Sequence, residues 1–511
     1  MLPRFALLSV SCLLALSLLL IRGGGQDIRP SAPDLLAEKL ARSVTIYRDK
    51  FGVPHVFGKT DASVVFGLMY AQCEDNFWQL ETDLTRSIGR AAEIDGEKWL
   101  ANDLAYRAFE IEKLSKAEYE RLPAKSKTLC DAFAAGLNYF VARNPQIKPR
   151  LITRFEPWSI LAMNRMGRIS GLGRIGLRPG EIRIGALEPA GAPQTDHRDF
   201  DLDLTALQSW FDEMKAEPLE GSNMWAIAPS KSASGRAMLL INPHVGFFGG
   251  GQRYEAHLRS DEGLNVYGFA ILGTPYIRSG FTQNLGWSHT NNYADTADAY
   301  LETFDDPENP LAYRYGNGYR AAVEWTEKEL ADWDRVAGID SVPTTLFLLM
   351  QERLASRSFA QEKFPRLRAL EAVINDLEKT FGTWRVAWGE INRLQRVHTS
   401  GDEPFSDERQ SWPVVGGPGA AGLVFTYNAR AEKGQKRRYG TSGNTFVSVV
   451  EFGKQPRARS VLVFGQSADP KSPHHTDQAE LYAQGKFKDV RFALKEIKAN
   501  LERSYHPGYG R

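Results

Sequence analysis

A glycine and a serine, Gly221-Ser222, stand directly before the strand-like run Met224-Trp225-Ala226-Ile227, far from either end of a 511-residue chain. A serine hydroxyl is a weak nucleophile until a base takes its proton. No serine here sits in G-x-S-x-G, so the strand-to-helix elbow that exposes a nucleophilic serine is absent, whereas a dispersed serine triad has no short signature and stays open. Cutting the chain between Gly221 and Ser222 would supply a base at once, because Ser222 would then carry a free α-amine beside its own hydroxyl. With a pKa near 8, against about 10.4 for lysine, roughly a quarter to a third of such amines are unprotonated at pH 7.4, compared with about one lysine in a thousand. Gly221, without a Cβ, would permit the distorted backbone that lets Ser222 reach its preceding carbonyl. Gly-Ser pairs are also ordinary turn residues, and the dipeptide by itself does not choose between the two readings.

The elements around this pair are those of a large folded chain. Hydrophobic residues make up 42% and aromatics 11%, enough for a sizeable core, and 63 Lys+Arg against 62 Asp+Glu leave a formal charge of +1. That balance gives no basis for nucleic acid or an anionic membrane as the main partner. At the N-terminus, Arg4 precedes an apolar run from Phe5 to Ile21, followed by Arg22 and a glycine cluster. This is the pattern of an export leader, expected to place the protein in the periplasm or outside the cell, with an uncleaved anchor as the alternative. Beyond Cys12, only Cys73 and Cys130 remain, either as a pair or as two isolated buried thiols. No C-x-x-C or H-E-x-x-H occurs, and His474-His475 lies in a Pro/Ser-rich stretch expected at the surface.

Along the chain, residues 43–56 read as a strand, a turn and a second strand broken at Pro54. Apolar spacing predicts helices over 62–86 and 125–142. The glycine- and proline-rich, then acidic, stretch 171–220 reads as a connector. From Ser222 the texture turns to strands: "NMWAIAP", "AMLLINP", "LNVYGFAILG" and "LGWSHT". Helical spacing returns in "SVPTTLFLLMQERLA" and "FPRLRALEAVINDLEKTF", and strands in "NTFVSVVEF" and "RSVLVFG". Strand clusters flanked by helical blocks predict an α+β fold of stacked sheets covered by helices.

The surroundings of Ser222 sharpen this. "GSNMWAIAPSKSASGRAMLLINPHVGF" resembles the start of the β chain in the penicillin acylase family of N-terminal-nucleophile hydrolases, which includes acyl-homoserine-lactone and aculeacin-type acylases. "RDKFGVPHVFGKTDASVVFGLMYAQCEDNFWQLE" and "SIGRAAE" are similar to that family's α chain, "LGWSHTNNYADTADAY" to its oxyanion-loop region, and "SADPKSPHHTDQAELYAQGKF" to its C-terminal block. The resemblance spans most of 43–325 and 331–490. It implies a four-layer αββα sandwich with helical α-chain elements. It also implies a leader or anchor at 1–25, an α-chain-like region at 26–175, a spacer propeptide at 176–221 and a β-chain-like region at 222–511. Autoproteolysis at Gly221-Ser222 would yield two fragments that stay together as a heterodimer.

By the same resemblance Ser222 is the nucleophile and its α-amine the base. His244 matches the histidine that the acyl-homoserine-lactone branch places beside the nucleophile, and Asn291 offers its backbone N–H to the oxyanion hole. Asp295 and Asp298 match aspartates that bind structural calcium in some members, although two acidic residues three apart are also ordinary loop chemistry. No organic cofactor is implied. The expected activity is hydrolysis of an N-acyl amide, such as an acyl-homoserine lactone or a β-lactam side chain, the first branch favouring linear acyl chains. Met224, Trp225, Phe247 and Phe248 are the candidates for an acyl pocket, with core packing as the alternative.

One departure opens a competing reading. Family β chains carry a long central stretch that supplies an asparagine to the oxyanion hole and a supporting arginine. Here "AAVEWTEKEL" runs straight into "ADWDRVAGID", so the segment is missing near 326–331. Loss of one of two oxyanion donors costs on the order of a hundred- to a thousandfold in rate. An acylase-like binding or scaffold protein without catalysis is therefore the alternative expectation.

Overall fold

The computed structural model describes residues 32–169, 221–290, 312–321, 378–383, 388–397, 403–414, 425–432 and 434–509, with a few single residues between them. The leader, nearly all of the 176–221 connector, and the helical pattern at 341–355 lie outside this set.

In chain order the first strands are β1 (Val44–Asp49), β2 (Pro54–Gly58), β3 (Gly221–Ile227), β4 (Met238–Gly246), β5 (Arg253–Ser260) and β6 (Asn265–Ile271). Next come β7 (Ser279–Phe281), β8 (Gly286–Trp287) and a separate hairpin, β9 (Ala312–Tyr315) with β10 (Gly318–Ala321). The remainder are β11 (Asn392–Leu394), β12 (Trp412–Pro413), β13 (Tyr427–Ala431), β14 (Arg438–Asn444), β15 (Phe446–Glu451), β16 (Arg457–Leu462), β17 (Lys488–Asp489) and β18 (Leu501–Tyr505).

Two mixed sheets result. The first has the order β18-β1-β2-β5-β6-β7-β8, antiparallel except for the β2–β5 pair. The second runs β12-β11-β14-β4-β15-β16-β17, with β13 on β14 and β3 on β4. The expected α+β class is what the molecule shows. Pro54 does not break the second strand but opens it, where its missing N–H removes nothing from the ladder.

The long helix Asp61–Ser87 packs on the first sheet and a second, Ala124–Arg143, packs on that helix, in one cluster containing Val44, Ile46, Val56, Tyr254 and Leu258. They approach closely because Gly136 has no side chain: a Cβ there would stand 2.7 Å from the Phe66 carbonyl oxygen. Tyr267 and Phe281 of the first sheet share a cluster with Val450 and Ala458 of the second, and Phe269 does so with Leu239, Ile241 and Phe446. A further cluster joins Val447, Val461 and Tyr427 of the second sheet to Ala479 and Tyr482 of a short helix, Ala479–Ala483.

The first long helix starts on a capping box, Thr60 and Ser63 each accepting from the other's backbone N–H. It kinks at Asn76, whose amide donates to the Gln466 carbonyl at 2.9 Å, while the Asp75 carbonyl accepts from Ala468 N. The break is therefore where the stretch after β16 docks. Against the helix just before the kink lies Arg48 of β1, 1% exposed, with Nη1 on Asp75 at 2.6 Å and Nη2 on Glu74 at 2.9 Å. Its remaining donors reach the Gly52 and Ala71 carbonyls and the Tyr254 and Tyr505 hydroxyls. A fully buried guanidinium is tolerable only when its donors are matched in this way.

Cys73 and Cys130, left open as a pair or as isolated thiols, are both free and buried. Burial pushes both thiols up, Cys130 to about 11, so neither is a thiolate at neutral pH.

Candidate active site

Ser222 is the second residue of β3, and among the described residues that strand pairs only with β4. The other edge of β4 is taken by β14 and β15. Gly221 lies opposite His244, and Ser222 opposite Pro243. The chain is continuous through Gly221-Ser222, and the Ser222 hydroxyl donates to the Gly221 carbonyl oxygen, the carbonyl of the bond that would be cut. The hydroxyl oxygen is thus already beside the carbon it would attack.

The expected reason for Gly221 is not what the backbone shows. Gly221 is in ordinary strand conformation, outside the positive-φ set, and a Cβ there would meet only His244 Nδ1 at 3.6 Å, an unstrained contact.

His244 is 7% exposed, and burial lowers its imidazole to about 4, so it is neutral at physiological pH. Its Nε2 lies 3.4 Å from Asn223 Nδ2; a neutral ring accepting there carries its proton on Nδ1, the nitrogen facing Gly221. Successive residues of a strand alternate in face, so the Ser222 side chain and the His244 ring lie on opposite faces of the β3–β4 ladder. Among the described residues no hydrogen bond joins them.

The proposed apolar neighbours divide. Met224 and Trp225 are 43% and 51% exposed, and Phe247 is core at 2%, packed with Tyr427, Phe464 and Tyr482. Phe248 stacks on Phe464. The phenylalanine pair packs in the second sheet's core, and Phe247 also lines a small cavity with Thr445 and Phe464. Asn291, Asp295 and Asp298 lie outside the described residues, and with them the oxyanion donor and the candidate calcium ligands. Among the described residues, no three His, Cys, Asp or Glu side chains are grouped to hold a metal.

Sequence reasoning passed over several polar groups near the serine. Asn444 stands opposite His244 on β14, Asn242 stands opposite Asn223, and each has a buried side-chain oxygen without a partner. The Thr445 N–H donates to the Pro243 carbonyl at 3.2 Å. Their one sequence signal was polarity at positions that strand alternation turns inward. A second buried constellation was also missed. His55 and His257 meet Nδ1 to Nδ1 at 3.1 Å, His257 Nε2 meets Asn265 Oδ1 at 2.8 Å, and Lys488 holds Glu255 at 2.6 Å and Ser460 at 2.7 Å. Burial first, then the neighbouring His55, lowers His257 to about 3.

The profile of the penicillin amidase family matches residues 43–329 and 321–499. The penicillin acylase 2 proenzyme of Pseudomonas sp. (strain SE83) is 28% identical over 337 residues, covering 59% of this chain and 42% of that protein. The acyl-homoserine lactone acylase PvdQ of Pseudomonas fluorescens (strain Pf0-1) is 27% identical over 285 residues, covering 52% and 35%. The acyl-homoserine lactone acylase QuiP of Pseudomonas syringae pv. tomato is 24% identical over 348 residues, covering 61% and 42%. The chain thus spans less than half the length of these relatives. Among solved structures, a thermostable penicillin G acylase from Alcaligenes faecalis matches 27% of this chain and 78% of its own, with 19% identity and a TM-score of 0.25.

Proposed function

Since the chain belongs to the penicillin amidase family, we propose that it is an exported acylase that hydrolyses an N-acyl amide after cutting itself between Gly221 and Ser222. The observation that carries this reading is the Ser222 hydroxyl resting on the Gly221 carbonyl near the head of strand β3. In the self-cutting step, Oγ adds to the Gly221 carbonyl carbon, the C–N bond breaks, and the proton passes to the departing Ser222 amine. Water then hydrolyses the ester, leaving Gly221 as a carboxylate and Ser222 with a free amine.

That amine is the base for turnover. It takes the hydroxyl proton as Oγ attacks the substrate amide, and returns it to the leaving amine. The resulting acyl-ester is hydrolysed to the free acid. The Asn291 N–H would stabilise the oxyanion. Asp295 and Asp298 would supply carboxylate oxygens to one structural calcium ion. The four clusters that tie helices to the first sheet, the two sheets to each other, and the second sheet to the helix Ala479–Ala483 support a four-layer αββα arrangement. The relatives named acyl-homoserine lactone acylases favour a linear acyl chain, and the Phe5–Ile21 run supports export.

A second reading is an acylase-like binding protein without turnover. It is favoured by the direct run from "AAVEWTEKEL" into "ADWDRVAGID". Intact mass and fatty-acid release from a panel of N-acyl-homoserine lactones and β-lactams decide between them. Two fragments, the larger beginning at Ser222, together with released acid, support the enzyme. An uncut chain identical to its Ser222→Ala variant, or a cut chain that releases no acid, supports the binding protein.

A further inference from the structure

A cleft of about 430 Å³, within the ~300–1,000 Å³ range of small-molecule sites, opens where the turn between β1 and β2 meets the β16–β17 edge of the second sheet. It is remote from Ser222. β16 and β17 are three and four strands from β3, and about 4.8 Å per strand makes this roughly 15–20 Å.

Its charges do not cancel. Lys488, on the floor, is neutralised by the buried Glu255 and is 1% exposed in its side chain. Of the others, Lys50, Arg459 and Arg491 face two carboxylates, Asp49 and Asp489, which leaves one positive charge. Asp49 is held by the Phe51 and Val53 N–H groups, and it is kept below the usual carboxylate range by its hydrogen bonds and neighbouring cations, against the opposing effect of burial. Asp489 serves two guanidiniums: Arg459 Nε at 3.2 Å and Arg491 Nη2 at 3.3 Å. Each arginine has five N–H donors, so most remain for something else. Lys50 is exposed and has no ion-pair partner among the described residues.

Apolar surface lies beside this charge. Phe51, Leu481 and Phe487 line the same cleft, and Phe487 is 36% exposed. An occupant complementary to both features carries one negative charge on a flat, bidentate head and has a hydrocarbon body. A bare inorganic anion would leave the aromatic wall unused, and a neutral lipid would leave the guanidiniums unpaired. We infer that this cleft is a binding site for a small amphipathic monocarboxylate, distinct from the Ser222 strand. It shares a chemical class with the acid that amide hydrolysis would release, but its occupancy requires no turnover.

Calorimetric titration of octanoate into the full chain tests this, with octanol and inorganic phosphate as controls and circular dichroism to verify folding of each variant. One saturable octanoate site is expected, still present in Ser222→Ala. Arg491→Gln should weaken it about three- to fivefold, and Asp489→Asn, which releases both guanidiniums, should tighten it by a similar factor. Overturning results are the absence of saturable octanoate binding, phosphate or octanol binding as tightly as octanoate, affinity lost in Ser222→Ala, or affinity unmoved by both cleft variants. Octanoate binding in a chain that releases no acid would support the cleft while refuting the acylase reading, so the two fail separately.

Discussion

The two ends of the molecule's polar chemistry are built in opposite ways. Ser222 stands on a strand with one hydrogen-bonded neighbour among the described residues, half-buried, with Met224, Trp225 and Ile227 beside it all more than a third exposed. Arg48 stands on a strand paired on both sides, 1% exposed, with two carboxylates, two carbonyls and two hydroxyls around it. The contrast teaches that reactivity and rigidity are kept apart. The proposed cut, and the proton transfer that would follow it, need room around Ser222, and its exposed strand neighbours leave that room. The buried charge, by contrast, ties β1, the kinked helix, β5 and the C-terminal strand into one body.

The largest expected effect lies at the loose end. Ser222→Ala should abolish chain cutting and lower acid release by more than about a thousandfold. It should leave the urea midpoint within about 0.5 kcal/mol of the parent, as for substitutions away from packed cores. A large loss of stability in this variant would mean that Ser222 belongs to the scaffold, and the contrast would fail.

Arg48→Met should do the reverse. It strands Glu74 and Asp75 without their buried partner, and breaking such a pair costs about 3–5 kcal/mol. Urea unfolding should show this, or the variant should fail to accumulate as folded protein. A midpoint unchanged from the parent would show the network to be incidental.

Acidification separates the regions further. His257 is held at about 3, and His244 and His475 at about 4, against an ordinary value near 6.5. The unfolded chain therefore takes up protons below pH 6.5 that the folded chain excludes. Stability is fully present above about 6.5 and is lost as pH falls towards 4 and below, with a slope of up to about 1.4 kcal/mol per pH unit for each group. Urea midpoints measured from pH 7 to 4 should follow this, and His257→Gln should flatten the curve.

The smallest effect concerns His474, whose two ring nitrogens meet Asp477 at 2.8 Å and Glu502 at 2.7 Å. Burial opposes its charge, but the two carboxylates prevail and raise its value. Its contribution is present below the ordinary histidine value and disappears as pH rises through the raised one. His474→Gln should cost roughly 1 kcal/mol at pH 6 and less at pH 9. It should also speed hydrogen exchange in β18, where Glu502 lies.

Local signals carried well wherever the pattern was long. The 62–86 spacing became the helix Asp61–Ser87, and 125–142 became Ala124–Arg143, because an apolar stripe at helical period has only one way to be buried. "AMLLINP" and "NTFVSVVEF" became neighbouring strands, β4 and β15, for the corresponding reason at period two. They failed at junctions. Pro54 was read as a break but begins a strand, and His474-His475, expected at the surface, is half-buried, with His474 held between Asp477 and Glu502.

What the sequence determined by itself was the kind of chemistry available and the segments that carry it: a glycine-serine bond before a strand, a histidine two residues beyond Asn242, and a near-neutral chain with apolar patterning of both periods. Register and long-range pairing were settled only by the tertiary structure. It set His244 opposite Gly221 rather than Ser222, buried Phe247, and brought Tyr505 to Arg48 from 457 positions away. The physical reason is that periodicity reports which face of an element avoids water, whereas the identity of a buried charge's partners depends on how the elements dock, a choice made by the free energy of the whole core.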